Sequence, residues 1–133
     1  MKHIFLAFGA AFILLTAFFQ TVQADDKDIV GILFYADWCG SCKILEPKLE
    51  KAREDEALKN IEFITFDLTD SESIQNARHT AEKENIDPVL QTYGAATGFV
   101  VVYDRGNDTI IKTLSSASSS EDIAKAFSTA AKG

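Results

Sequence analysis

Apolar residues run almost unbroken over residues 29–36, as in a central strand whose two faces are both covered. Over residues 40–58 the pattern changes. Ile44, Leu45, Leu49, Ala52 and Ala57 recur at helical spacing, with Pro47 expected to interrupt the helix and bend its axis because its ring removes a backbone hydrogen bond. Residues 61–66 read as a second strand. Residues 71–85 are polar but compatible with a helix capped by Ser71, and a short loop is expected over residues 86–88. Residues 99–103 and 109–114 read as two strands joined by Asp104-Arg105-Gly106-Asn107-Asp108, whose Gly and Asn signal a hairpin turn. The serine-rich stretch 115–120 reads as a loop and N-cap before a closing helix, residues 119–131, with Ile123, Ala124 and Phe127 on one face. The order βαβαββα predicts an α/β fold: a parallel strand pair with a right-handed crossover, then an antiparallel hairpin. The central sheet is therefore mixed and flanked by helices.

The N-terminus follows a different pattern. Met1-Lys2-His3 is basic, residues 4–19 are apolar without a charge, and Val22-Gln23-Ala24 supplies small residues before Asp25. A membrane anchor is the competing reading, since ~16 apolar residues lie near the lower bound for a spanning helix. The basic start, short run and small-x-small end favour a signal peptide over residues 1–24, cleaved after Ala24. A single exported domain is then expected over residues 25–133, periplasmic or secreted. Loss of Lys2 and no acid takes the formal charge from −7 to −8. Such acidity argues against nucleic acid or an anionic membrane surface as partner. Asn107-Asp108-Thr109 matches a glycosylation sequon, which a eukaryotic secretory route would test.

The chain's only two cysteines stand three apart in Phe34-Tyr35-Ala36-Asp37-Trp38-Cys39-Gly40-Ser41-Cys42-Lys43, where strand gives way to helix. Cys39 would lie at a helix N-terminus, whose unpaired N–H groups and dipole stabilise a thiolate, with the Lys43 charge nearby. Cys42, one turn on, is placed to attack a mixed disulfide formed by Cys39. A structural zinc needs four ligands, and only His3 and His79 supplement the thiols, so no metal site is expected. A purely structural bridge closing so short a loop would contribute little stability. Outside the cytosol such a dithiol acts either as an oxidant or as a reductant kept charged by a donor.

This segment resembles the active-site stretch of the thioredoxin family: an apolar strand ending in an aromatic residue, then Ala, an acid, Trp and Cys-Gly-x-Cys-Lys. The match continues to Pro47, where the family carries a helix proline. The resemblance implies a minimal thioredoxin core and thiol-disulfide exchange with protein disulfides, without a cofactor. Cys39 and Cys42 would be catalytic, supported by Gly40, Ser41, Lys43 and Pro47. Trp38, Thr97, Gly98 and Tyr93 would line the substrate groove. An exported reductant would further imply a dedicated, membrane-bound electron donor, and the protein is expected to be a monomer.

Two positions depart from the family pattern. Where the family places a cis-proline opposite the cysteines, this chain has Gly98, with a trans peptide expected at Thr97-Gly98 because a non-proline cis bond is costly. Where many thioredoxins keep a buried acid, six residues before the first cysteine, this chain has Leu33. With Ser41 the dipeptide between the cysteines lacks the histidine of strong oxidants, which favours a reductant. The alternatives are a copper(I)-binding or delivery module, since soft thiolates suit that ion, a disulfide-forming oxidant, and an adaptor using the scaffold only for contacts.

Overall fold

The computed structural model describes residues 27–133; the expected signal peptide and its cleavage point lie outside the described residues. Four strands, β1 (Ile29–Tyr35), β2 (Glu62–Asp67), β3 (Phe99–Asp104) and β4 (Thr109–Ser115), form one sheet in the order β2-β1-β3-β4. β1 pairs parallel with β2 and antiparallel with β3, and β3 pairs antiparallel with β4. The mixed α/β arrangement expected from the sequence is present.

Alternation along β1 explains its continuous apolar sequence. Ile29 and Leu33 face one side, packing with Leu45 and Leu49 of α1 (Gly40–Arg53) and with Ile123 and Phe127 of α4 (Ser120–Lys132). Val30, Ile32 and Phe34 face the other, packing with Ala77 and Ala81 of α2 (Ser71–Lys83) and Val89 of α3 (Asp87–Tyr93). Each fully buried Val, Leu, Ile or Phe among them contributes about 1.5–3 kcal/mol on burial. At Gly31 the Phe127 ring comes so close that a Cβ would lie 2.9 Å from its Cζ.

Three local expectations change. α1 continues through Pro47 without interruption and ends at Arg53; an Asp55-capped 3-10 turn, Glu56–Leu58, then buries Leu58. Pro47 and Lys43 are both exposed, so the Lys43 carbonyl deprived of its helical partner can bond water. The cap of α2 is Asp70 rather than Ser71. Its carboxylate accepts from the Ser73 N–H at 2.8 Å, which holds the Asp70 pKa below its ordinary value.

Residues 86–88 are not a loop between α2 and the hairpin. Ile86 is the N-cap of a helix, α3, in which Pro88 occupies the first turn, where no intrahelical N–H bond is lost. The order is therefore βαβααββα. At the other end of the chain Ser119 and Asp122 form a reciprocal capping box on α4. Among the described residues no helix is long and apolar enough to cross a membrane.

β1 runs towards the cysteines and β3 away from them. Arg105, directly after β3, closes the remote end of the sheet by pairing with Asp28 at 2.6 Å and Glu62 at 3.1 Å. Beside it the buried Asp104 carboxylate accepts from the Asn107 amide and backbone N–H groups.

Candidate redox site

The site begins where β1 stops. Ala36 O accepts the Cys39 N–H at 3.0 Å, turning the chain sharply into α1. Cys39 is the N-cap of that helix: its backbone is extended, and its Sγ accepts the Cys42 N–H at 3.2 Å. A sulfur therefore takes the place that a serine or aspartate oxygen fills at other N-caps. No acidic residue occupies the first turn, so the dipole faces Cys39 without opposition from a helix carboxylate. Cys39 and Cys42 are joined as a disulfide, with their Cα atoms 5.3 Å apart.

The two cysteines differ in access. Cys39 retains 6% exposure and Cys42 none, so a partner reaches only the first sulfur. Cys42 Sγ lies 3.6 Å from Phe34 O, which also accepts the Gly98 N–H at 2.9 Å. Gly98 is buried at φ +94°, and a Cβ there would stand 2.9 Å from Ser41 Cβ and 3.4 Å from Cys39 Sγ. Among the described residues no peptide bond is cis, so Thr97-Gly98 is trans, as expected. Glycine satisfies three demands here: positive φ, close approach to Ser41, and an N–H for Phe34 that proline lacks.

Trp38 is 65% exposed beside Cys39, and its indole Nε1 donates to Thr69 O at 3.1 Å. The Asp37 N–H donates to Thr69 Oγ1 at 3.0 Å, and Thr69 is in turn held by Asp67 Oδ1. Thr69 thus fixes the segment ahead of the cysteines, a role missed in the sequence. The available signal was Asp67-Leu68-Thr69 after a strand, a pattern suited to side-chain-closed turns. Tyr35 donates its hydroxyl to Asp37, a bond that raises the Tyr35 pKa.

Gly40 and Ser41 begin α1 and are exposed; Lys43 is exposed one turn into it. Thr97 is half-buried beside Gly98. Tyr93 is half-buried: its ring packs against Phe34 and Phe99, and its hydroxyl bonds Thr113 on β4. Leu33 is buried among the apolar side chains of the α1–α4 core, an environment that disfavours a charged substitute. Among the described residues no three of His, Cys, Asp or Glu converge as a metal site.

The thioredoxin family model matches residues 11–87. A protein disulfide-isomerase of Aspergillus oryzae is 41% identical over 49 residues, covering 37% of this chain and 10% of that protein. The mitochondrial thioredoxin-3 of Saccharomyces cerevisiae is 35% identical over 60 residues, covering 45% of this chain and 44% of that protein. This chain therefore spans less than half the length of either relative. The crystal structure of Trxlp from Edwardsiella tarda superimposes with a TM-score of 0.49 at 14% identity, over 76% of this chain and 82% of that one. Because the family match extends over more than half of its residues, the chain belongs to the thioredoxin family.

Proposed function

We propose that the chain is an exported thiol-disulfide oxidoreductase that reduces protein disulfides through Cys39 and Cys42. The observation that carries this reading is the N-cap geometry: the more accessible sulfur, Cys39 Sγ, accepts the Cys42 N–H, while Cys42 is fully enclosed. As a thiolate Cys39 gains a charge-assisted hydrogen bond and the helix dipole. It attacks one sulfur of a substrate disulfide, forming a mixed disulfide and releasing the other sulfur as a thiolate. Cys42 then loses its proton and attacks Cys39 Sγ, forming the Cys39–Cys42 bond and releasing the second substrate thiolate. Two electrons pass from enzyme to substrate. Phe34 O, 3.6 Å from Cys42 Sγ in the disulfide form, stands ready to accept from the Cys42 thiol after reduction, and with leucine at position 33 the proton leaves through water or another group.

Export through the N-terminal segment, a membrane-bound electron donor and a monomeric state complete the proposal. The test is the reduction potential of the pair, measured against a glutathione series. A value near −270 mV supports a reductant, whereas one near −120 mV makes the protein an oxidant and reverses the flow. Cys39→Ser should abolish exchange and Cys42→Ser should trap mixed disulfides; equal trapping by both overturns the assigned roles. A copper(I) site has one observation in its favour, the absence of any side chain at Gly98 above Cys39 Sγ. That reading requires the reduced dithiol to hold copper(I) against a competing chelator while showing little reductase activity.

A further inference from the structure

Between α2 and α3 lies a groove of about 460 Å³, floored by Leu68, Ile74 and Leu90 and flanked by Arg78, Glu82 and Asp87. Neither the sequence nor the exchange chemistry accounts for it. Its existence depends on α3, the helix that the Pro88 segment concealed.

Two lining segments lead along the chain to the redox centre: Leu68 immediately precedes Thr69, which binds the Trp38 indole, and Gly94-Ala95 lead into Thr97-Gly98 over the disulfide. From there Ile74, Arg78 and Glu82 follow at intervals of four on α2, one face of the helix spanning ~12 Å of axis. An extended chain advances ~3.3 Å per residue, so the groove accommodates about four residues. Its character changes along that path: apolar near the cysteines, and carrying two carboxylates, Glu82 and Asp87, at the far end against the single guanidinium of Arg78.

We propose that this groove is a specificity site for the substrate polypeptide. It takes an extended segment with apolar side chains next to the reacting cysteine and a lysine or arginine beyond them. The proposal rests on reading Cys39–Cys42 as an exchange pair. Two features single out a polypeptide of this charge pattern. Two of its lining residues, Leu68 and Ala95, stand one and two residues along the chain from Thr69 and Thr97 beside the disulfide, and its acidic end is complementary to a cation in a chain of net charge −7. Leu68, Ile74 and Leu90 receive the apolar side chains, and Arg78 faces the carbonyl oxygens of the segment as it passes.

The test uses two homodimeric peptide disulfides with the same apolar residues beside cysteine. They carry either lysines or glutamates about four to seven residues away, on each side in turn. Trp38, the only tryptophan, reports oxidation of the reduced protein by its fluorescence. The lysine peptide should react about fivefold faster than the glutamate peptide, a ratio suited to exposed charge pairs. Glu82→Lys should reduce or invert that ratio, and about 1 M salt should abolish it. Equal rates, or a preference that Glu82→Lys leaves unchanged, overturn the proposal. A dimer in sedimentation that Glu82→Lys dissociates also overturns it, by showing the groove filled by a second copy. A small aromatic disulfide run beside the peptides separates the two levels: if it too fails to oxidise the protein, the exchange reading falls and the groove proposal with it.

Discussion

Installing the family's proline at Gly98 should weaken this protein rather than improve it. The backbone there holds φ at +94°, whereas proline is fixed near −65°, so Gly98→Pro cannot be built without turning the loop. Forcing a disallowed conformation costs about 1–3 kcal/mol. Loss of the Gly98 N–H bond to Phe34 O removes about 1 kcal/mol more. A Cβ placed 2.9 Å from Ser41 Cβ adds a clash that the start of α1 must relieve. Together these terms give a destabilisation of about 3–4 kcal/mol, a fall of about 2 M in the urea midpoint for a domain of this size. Gly40 provides the control: a Cβ there meets nothing within 4 Å, so Gly40→Ala should be neutral or stabilise by about 0.5 kcal/mol. Urea unfolding of the oxidised proteins, followed by circular dichroism, reads both. A Gly98→Pro variant as stable as the parent would refute the reasoning, because the positive φ would then be a choice of the loop and not a demand of the fold.

Leu33→Asp, which restores the family's buried acid, should lower stability by about 4 kcal/mol, because Leu33 is packed among the apolar side chains of the α1–α4 core; a neutral effect on urea unfolding would show that the site is wet. Burial and the Asp108 hydrogen bond raise the Tyr103 pKa above its ordinary 10.0. The unfolded chain then loses this proton first, so stability is complete below pH 10 and declines above it; Tyr103→Phe should flatten that alkaline decline in unfolding curves. The Asp70 pKa is lowered from 3.8 chiefly by the Ser73 backbone bond, so its contribution is present above that pH and disappears as pH falls. Asp70→Asn retains a capping side chain but not the charge, and its acid unfolding profile between pH 2 and 5 should be shallower than the parent's.

How much of this architecture was legible depended on whether local pattern and tertiary demand agreed. β1 was clear because both of its faces are buried, and the closing helix because a serine cluster able to cap it precedes apolar residues at helical spacing. The cysteine pair was legible at a helix N-terminus because it stands where the strand pattern gives way to helical spacing; that Cys39 is itself the cap is a finding of the structure. α3 was hidden because Ile86-Asp87-Pro88 reads as a loop, although a proline at a helix start loses nothing; only packing of Val89 and Leu90 on the sheet distinguishes the two. Pro47 misled in the opposite sense, since exposure lets water serve the carbonyl it orphans. Tyr93 lies close in sequence to the loop over the disulfide, yet the aromatic cluster around Phe34 claims its ring, a three-dimensional fact that no local pattern carries. Thr69 escaped notice because its partners, Asp37 and Trp38, are some thirty residues away.

In the proposed exchange, Cys39 is a helix cap that its own reaction weakens. As a thiolate it is an anion facing the Cys42 N–H; once bound to another sulfur it is a feeble acceptor, and the same amide loses most of its partner's charge. The opening turn of α1 is therefore held most firmly before attack and least firmly in the mixed disulfide. That is the moment at which Cys42 must swing towards Cys39. The chemistry thereby loosens the joint it next needs to move, and closure of the internal disulfide ends that slack.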